Sequence, residues 1–95
     1  IDNNDMRYII KLTINVRKEV IKMIYENVEK IRFAKGITKT FIANKANISL
    51  QVYHNISKGY TSLDVERLKK IAVALDVNPA IFFDDELTDN VIKRI

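Results

Sequence analysis

The sequence contains no cysteine and no tryptophan, and it has only one proline and two glycines among its 95 residues. Without cysteine, the chain can form no disulfide and offers no thiolate to a metal ion. This composition fits a cytoplasmic protein, because stable disulfides belong mainly to oxidising compartments. So few residues that break helices predict a mainly α-helical fold.

Features that mark several other classes of protein are also missing. No apolar run approaches the roughly 18 residues of a membrane-spanning helix, and no secretory signal is visible. There is no glycine-rich phosphate loop and no nucleophile paired with a histidine base. The only histidine, His54, has no companions for a zinc site. We therefore expect no membrane span, no enzymatic activity, no metal and no cofactor, and nothing indicates a small-molecule effector.

Charge is unevenly distributed along a chain whose length is that of one domain. Residues 1–83 carry a net charge of +6, whereas residues 84–95 carry −2. We divide the chain into an N-terminal extension (1–19), a central domain (20–83) and an acidic C-terminal tail (84–95). A partner of the central domain is expected to be anionic.

Aspartate and glutamate are absent between Lys30 and Leu63. This acid-free window also contains a run of amide, hydroxyl and ring side chains, from Ser49 to Asn55. A surface that lacks carboxylates and presents amides on a helix suits the phosphate-lined groove of DNA. The basic residues of the window are Lys30, Arg32, Lys35, Lys39, Lys45 and Lys58.

Hydrophobic spacing and capping residues predict the first three helices. Apolar residues recur every three or four positions between Val16 and Ala34, which is the pattern of one helical face. Thr38 and Ser49 are suitable N-caps for helices 39–46 and 50–57. Asn47 lies between these helices and tolerates the positive φ that a sharp turn requires.

A fourth helix is expected to start at Thr61 or Ser62 and a short fifth helix at Asn78-Pro79. A helix cannot bury the adjacent Phe82 and Phe83 equally, so we expect one in the core and the other to cover a strand or a partner chain. The predicted buried face of the fourth helix consists of Val65, Leu68, Ile71, Ala72 and Leu75.

Residues 8–16 alternate between apolar and polar side chains and are rich in β-branched residues, a pattern that predicts a strand. The expected backbone partner is either the same strand of a second chain or residues 91–95, because a lone strand leaves its hydrogen-bonding groups unpaired. The alternative is that Ile9, Leu12 and Val16 extend the first helix.

The segment 39–58 has the spacing of a helix-turn-helix motif. Ala43 provides the small residue where the two helices meet, and Asn47 occupies the turn. Two helices that cross at about 90–120° touch through few positions, which must be apolar. Those positions are Ile42, Ala46, Ile48, Tyr53 and Ile56.

A longer ordered set of residues resembles the lambda-repressor-like, Xre-type DNA-binding domain over residues 22–83. The resemblance implies a five-helix domain whose third helix enters the major groove, in a transcriptional regulator that binds as a dimer. Together with the predicted strand, the expected fold is mainly α with an added N-terminal β-strand. The resemblance rests on Gly36-Ile37-Thr38-Lys39, Ile42-Ala43, Ile48-Ser49, Ile56-Ser57-Lys58-Gly59, Leu68, Ile71-Ala72, Ala74-Leu75, Val77-Asn78 and Phe82.

The same resemblance implies which residues contact DNA. The start of the second helix in this family touches phosphate, and the matching positions are Thr38, Lys39 and Thr40. The recognition helix matches at Ser49, Leu50, Gln51, Val52 and Asn55, with His54 beside them. The following loop approaches the DNA backbone at Lys58, Tyr60 and Thr61.

The chain departs from the family pattern at three positions. Lys39 stands where glutamine is usual, and Asn47 stands where glycine is usual. Ser57 replaces a glutamate that pairs with an arginine matching Arg32. Two explanations for Arg32 remain open: another residue replaces the missing partner, or Arg32 is free to reach phosphate.

Gln51 and Asn55 lie four residues apart on one helical face, and an amide can bond an adenine edge through two hydrogen bonds. The alternative is an ordinary solvated surface. Leu50 suits either a thymine methyl or the edge of the core, and Tyr60 suits either phosphate or local packing. We therefore expect a sequence-specific regulator, in particular a repressor that binds double-stranded DNA as a homodimer. The alternative is a protein-interaction module, such as an antitoxin or an adaptor.

Overall fold

The computed structural model describes the backbone of residues 3–62 and 64–95 and the side chains of residues 17–62 and 64–95. All regular secondary structure in these ranges is helical. The elements are α1 (Asn3–Ala34), α2 (Lys39–Lys45), α3 (Leu50–Ser57), α4 (Val65–Leu75), a 3₁₀ helix (Pro79–Phe83) and α5 (Asp85–Lys93).

The prediction of an N-terminal β-strand is wrong, since residues 8–16 belong to α1. A helix pairs its backbone groups within its own segment, whereas a strand requires a neighbour. The alternative interpretation, in which the helical spacing of Ile9, Leu12 and Val16 extends the first helix, is therefore the one that agrees with the structure. Neither pairing expected for the strand remains, because residues 91–93 form the end of α5.

Helix α1 ends where the sequence predicts. Gly36 has φ of 68°, a left-handed conformation in which a side chain would be strained. Beyond it, the Ile37 N–H donates to the Arg32 carbonyl at 3.1 Å, which closes the end of the helix. This turn separates α1 from α2.

The two helices of the predicted motif are confirmed, and so are their caps. Thr38 Oγ1 accepts from the Phe41 N–H at 3.0 Å, and Ser49 Oγ accepts from the Val52 N–H at 3.1 Å. Between the helices, Asn47 has φ of 56°. These local features fix the angle at which α3 leaves α2.

The start of the fourth helix differs from the prediction. Asp64, rather than Thr61 or Ser62, is the N-cap, and its carboxylate accepts from the Arg67 N–H at 3.1 Å. A carboxylate is favoured there because it also faces the positive end of the helix dipole. Val65 consequently lies in the first turn and is 53% exposed, although it was expected to be buried. The fifth predicted helix is present as the 3₁₀ helix, capped by Asn78.

The core is formed by buried side chains of α1, α2, α3, α4 and the 3₁₀ helix. Phe82 is buried and Phe83 is exposed, which distinguishes the two adjacent rings. Val20 belongs to the predicted apolar face of α1 but is exposed. Tyr25 was not predicted to be buried, yet it is enclosed, and its hydroxyl donates to the Ser62 carbonyl. The other fully enclosed residues include Ile24, Val28, Ile31, Ile42, Ala43, Ala46, Tyr53, Ile56, Leu68, Ile71, Ala72 and Leu75.

Buried polar contacts join α1 to the C-terminal part of the chain. Asn27 Nδ2 donates to the Phe82 carbonyl and to Asp85 Oδ1, both at 3.0 Å. Thr88, buried on α5, donates to the Ile81 carbonyl. The acidic segment is thus part of a helix that packs on α1. Within the described residues, no helix combines the length and apolarity needed to cross a bilayer.

Candidate nucleic-acid interface

Helix α3 has one buried face and one face that points away from the core. Tyr53 and Ile56 are buried and hold the helix in place. Leu50 and Gln51 are exposed, and Val52, His54 and Asn55 are partly exposed. The five proposed residues that lie within α3 are therefore all accessible to some degree. Leu50 is 50% exposed, so the core leaves half of it uncovered.

Two of these side chains are linked to each other. Gln51 Nε2 donates to Asn55 Oδ1 at 3.1 Å, across one turn of the helix. The bond uses the amino end of Gln51 and the carbonyl end of Asn55. The carbonyl of Gln51 and the amino group of Asn55 are the ends that it leaves for another partner. The pair is thus partly ordered before any ligand binds.

A shallow depression beside α3 brings residues of two helices together. It has a volume of about 360 Å³, and it is lined by Lys39 of α2 and by Leu50, Gln51 and His54 of α3. The first residue of α2, proposed from sequence as a phosphate contact, therefore borders the proposed base-reading residues. The lining combines one cation, an amide, an imidazole and an apolar side chain, and none of the described lining residues is a carboxylate.

Two of the proposed contact residues also have a structural role as caps. The hydroxyl oxygens of Thr38 and Ser49 accept from backbone N–H groups in the first turns of α2 and α3. A hydroxyl that accepts one bond can still donate its own proton to a phosphate oxygen. Thr40 is exposed on the first turn of α2.

The loop after α3 presents only part of its predicted set outward. Lys58 is exposed, and Tyr60 is 77% exposed, so this ring does not pack locally. Gly59 between them has φ of 73° and turns the chain away from α3. Thr61 is different, because its hydroxyl oxygen is buried and has no hydrogen-bond partner among the described residues. The geometry therefore brings Lys58 and Tyr60, but not the Thr61 hydroxyl, to the surface.

Arg32 has a partner that sequence comparison with the family does not suggest. Its Nε contacts Glu29 Oε2, one helical turn earlier on α1, and its Nη1 donates to the Ile37 carbonyl at 2.8 Å. Glu29 therefore replaces the glutamate missing at Ser57. The only signal in the sequence is the three-residue spacing, which places Glu29 and Arg32 on the same side of a helix.

Glu29 also contacts one residue of α2 and one of α3. The Tyr53 hydroxyl donates to Glu29 Oε2 at 3.3 Å, and Lys39 Nζ lies 3.7 Å from Glu29 Oε1. Burial, reinforced by the negative charge of Glu29, raises the pKa of Tyr53, so its hydroxyl keeps its proton and donates it. We call Glu29, Arg32, Lys39 and Tyr53 the Glu29 cluster. It connects α1, α2 and α3 behind the depression.

Other lysines of the acid-free window have partners of their own. Lys45 Nζ lies 5.6 Å from the centre of the Phe41 ring, within the range of a cation–π contact. Lys35 Nζ donates to the Asp76 carbonyl at 3.4 Å, which places it beside the C-terminus of α4. The absence of acids between Lys30 and Leu63 therefore does not mean that every lysine serves one surface.

A capped helix, a left-handed turn and a second capped helix with an exposed polar face define a helix-turn-helix protein. The profile of the helix-turn-helix family matches residues 28–82, more than half of the chain. The chain belongs to this family, in its Xre and lambda-repressor-like form, and is a DNA-binding transcription regulator. No curated protein is significantly similar to it.

Solved structures of a controller protein are similar to this chain. The wild-type restriction-modification controller protein C.Esp1396I is 26% identical, with a TM-score of 0.64 over 78% of this chain and 95% of that protein. A single-residue variant of the same controller protein is 25% identical, with a TM-score of 0.63 over 80% of this chain and 97% of that protein. The similarity thus extends over nearly the whole of the controller protein.

Proposed function

We propose that this protein is a sequence-specific repressor that binds a two-fold symmetric operator as a homodimer. Helix α3 enters the major groove, and each protomer reads one half-site. The observation that carries the proposal is the outward face of α3, where the Gln51–Asn55 amide pair stands opposite the buried anchors Tyr53 and Ile56. Half-sites read by such a dimer lie about 34–36 Å apart, one turn of DNA.

The proposed contacts divide into two kinds. Leu50, Gln51, Val52 and Asn55 approach base edges, with Ser49 and His54 at their margin. Amides match the paired donor and acceptor of adenine, and an exposed leucine matches the thymine methyl group. The contacts proposed to bind phosphates are Thr38, Lys39, Thr40, Lys58 and Tyr60, with Thr61 contributing through its backbone, since its hydroxyl oxygen is buried.

Regulation, rather than another use of the fold, is supported by the similar controller proteins. The protein-interaction alternative depended on a free strand and an acidic tail. The strand is absent from residues 8–16, and the acidic residues Asp85 and Glu86 form the first turn of α5, which packs on α1. Neither feature now distinguishes a docking module from a DNA-binding regulator.

Binding of the full chain to a random-sequence duplex, measured by fluorescence anisotropy at several salt concentrations, tests the general DNA-binding role. We expect the logarithm of the binding constant to fall linearly with the logarithm of salt concentration, because bound lysines release counterions from DNA. The variant Lys69→Ala serves as a control, because Lys69 is not among the proposed DNA contacts. It is an exposed lysine on α4 that pairs with Glu66. Absence of binding even at low salt would contradict the proposal.

A further inference from the structure

The Glu29 cluster carries more positive than negative charge. One carboxylate contacts two cations, Arg32 and Lys39, and it also accepts a bond from the uncharged Tyr53. Glu29 and Arg32 are largely covered, with side chains 23% and 18% exposed. Screening by water is reduced at such sites, so these charges interact more strongly than those of an ordinary surface pair.

The two cations are not held equally. Arg32 contacts Glu29 and also donates to the Ile37 carbonyl, so its guanidinium is fixed at two points. Among the described residues, Lys39 has one ion-pair partner, at 3.7 Å, and its side chain is 31% exposed. Lysine also has a flexible stem and a compact charge, whereas arginine has a rigid planar group. Lys39 is therefore the member of the cluster that can move to another anion.

A second observation points in the same direction. Lys39 lines the depression that Leu50, Gln51 and His54 form on the face of α3. A phosphate of a duplex seated on α3 would approach from that side. Arg32 and Tyr53 would continue to satisfy Glu29 after Lys39 leaves, so the exchange leaves no buried carboxylate without a partner.

We infer that Glu29 is an internal counter-ion that holds Lys39 in the free protein and releases it to a DNA phosphate on binding. This inference rests on the proposed function. As a consequence, Glu29 lowers the affinity for duplex DNA of every sequence, because Lys39 must give up its contact with Glu29 before it can contact a phosphate. Glu29 is thus a positioning residue that limits non-specific binding without reading any base.

The variant Glu29→Gln tests this inference, with Glu26→Gln as its matched control. Both substitutions remove one negative charge from α1, but Glu26 is 58% exposed and, within the part of the chain that the structure describes, it pairs with Lys22 alone, at 3.9 Å. The glutamine at position 29 keeps an acceptor for Arg32 and Tyr53. Thermal unfolding followed by circular dichroism shows whether each variant folds.

We expect Glu29→Gln to bind both operator and random duplex about two- to fivefold more tightly than Glu26→Gln does. We also expect the slope of the logarithm of the binding constant against the logarithm of salt concentration to be steeper by up to about one. The reason is that Lys39, without its carboxylate partner, exchanges only ions from solution when it contacts a phosphate. The ratio of operator to random affinity should not change. Equal affinity and slope in the two variants, or weaker binding by a folded Glu29→Gln, would overturn the inference. Failure of the wild-type protein to bind any duplex would instead overturn the proposed function.

A second comparison does not depend on the stability of Glu29→Gln. In the otherwise unchanged protein, Lys39→Gln should lower the salt slope by less than Lys58→Gln, since Lys39 already has a carboxylate partner. An equal or larger loss from Lys39→Gln would contradict the inference. If Glu29→Gln folds, Lys39→Gln should cost more affinity in that background than in the wild-type protein.

Discussion

Replacement of Asn55 by alanine should abolish discrimination at one base pair of each half-site and leave the fold intact. Asn55 is partly exposed and does not belong to the core, and alanine is the better helix former of the two. A bidentate amide–adenine contact contributes about 1–3 kcal/mol to discrimination. The variant should therefore lose about 5- to 150-fold in preference for the matching base.

The hydrogen bond between Gln51 and Asn55 makes a further quantitative expectation possible. Because Gln51 Nε2 orients Asn55 Oδ1 at 3.1 Å, Gln51→Ala should also weaken the contact that Asn55 makes. The double substitution should then cost less than the sum of the two single ones, by about 0.5–1.5 kcal/mol.

Fluorescence anisotropy with an operator duplex and with duplexes changed at single base pairs measures these effects. The same titrations at several salt concentrations should give slopes close to the wild-type value, because neither amide neutralises a phosphate. The reasoning would be refuted if Gln51→Ala and Asn55→Ala weakened binding to all duplexes alike. Strict additivity of the two substitutions would show that the bond between the amides has no part in recognition.

Three further predictions concern a phosphate contact, the turn and the core. Lys58→Ala should weaken binding to every duplex and lower the salt slope by about one, whereas Lys69→Ala should not; equal slopes would exclude Lys58 from the interface. Asn47→Ala should lower the free energy of unfolding by about 1–2 kcal/mol, because alanine disfavours the left-handed conformation, whereas Asn47→Gly should be neutral or stabilising; urea unfolding that gives equal stabilities would contradict this account of the turn. Asn27→Ala should cost about 1–3 kcal/mol in urea unfolding, because it leaves the Phe82 carbonyl without its donor; an unchanged midpoint would show that this contact is dispensable.

The sequence predicts the recognition unit well because its determinants are local. Thr38 and Ser49 cap helices through side chains that act within three residues, and Asn47 adopts its turn conformation by its own tolerance of positive φ. Each of these features can be read from a few adjacent residues, and the apolar spacing then gives the buried faces of Tyr53 and Ile56.

The errors occur where a local pattern has two solutions. Residues 8–16 fit both a strand and a helix, and the outcome depends on whether a neighbouring strand exists, which the residues themselves do not encode. We expected α4 to start at Thr61 or Ser62, but Asp64 is the cap, and its carboxylate also interacts favourably with the helix dipole.

The Glu29 cluster illustrates what the sequence does not predict about the site. Glu29 lies just outside the acid-free window, and it reaches Lys39 and Tyr53 only because α1, α2 and α3 pack together. The family pattern drew attention to a missing glutamate at Ser57. The structure shows that the partner of Arg32 comes instead from its own helix.

Selection of bound sites from a pool of random duplexes tests the central claim most directly, because it examines binding, sequence preference and symmetry together. The account predicts enrichment of a two-fold symmetric sequence with half-sites about 10–10.5 base pairs apart, centre to centre. It also predicts that Gln51→Ala and Asn55→Ala relax the preference at the corresponding positions of both half-sites. A pool that shows no enrichment after selection, or an enriched site that both variants bind with unchanged preference, would contradict the assignment of α3 as the recognition helix.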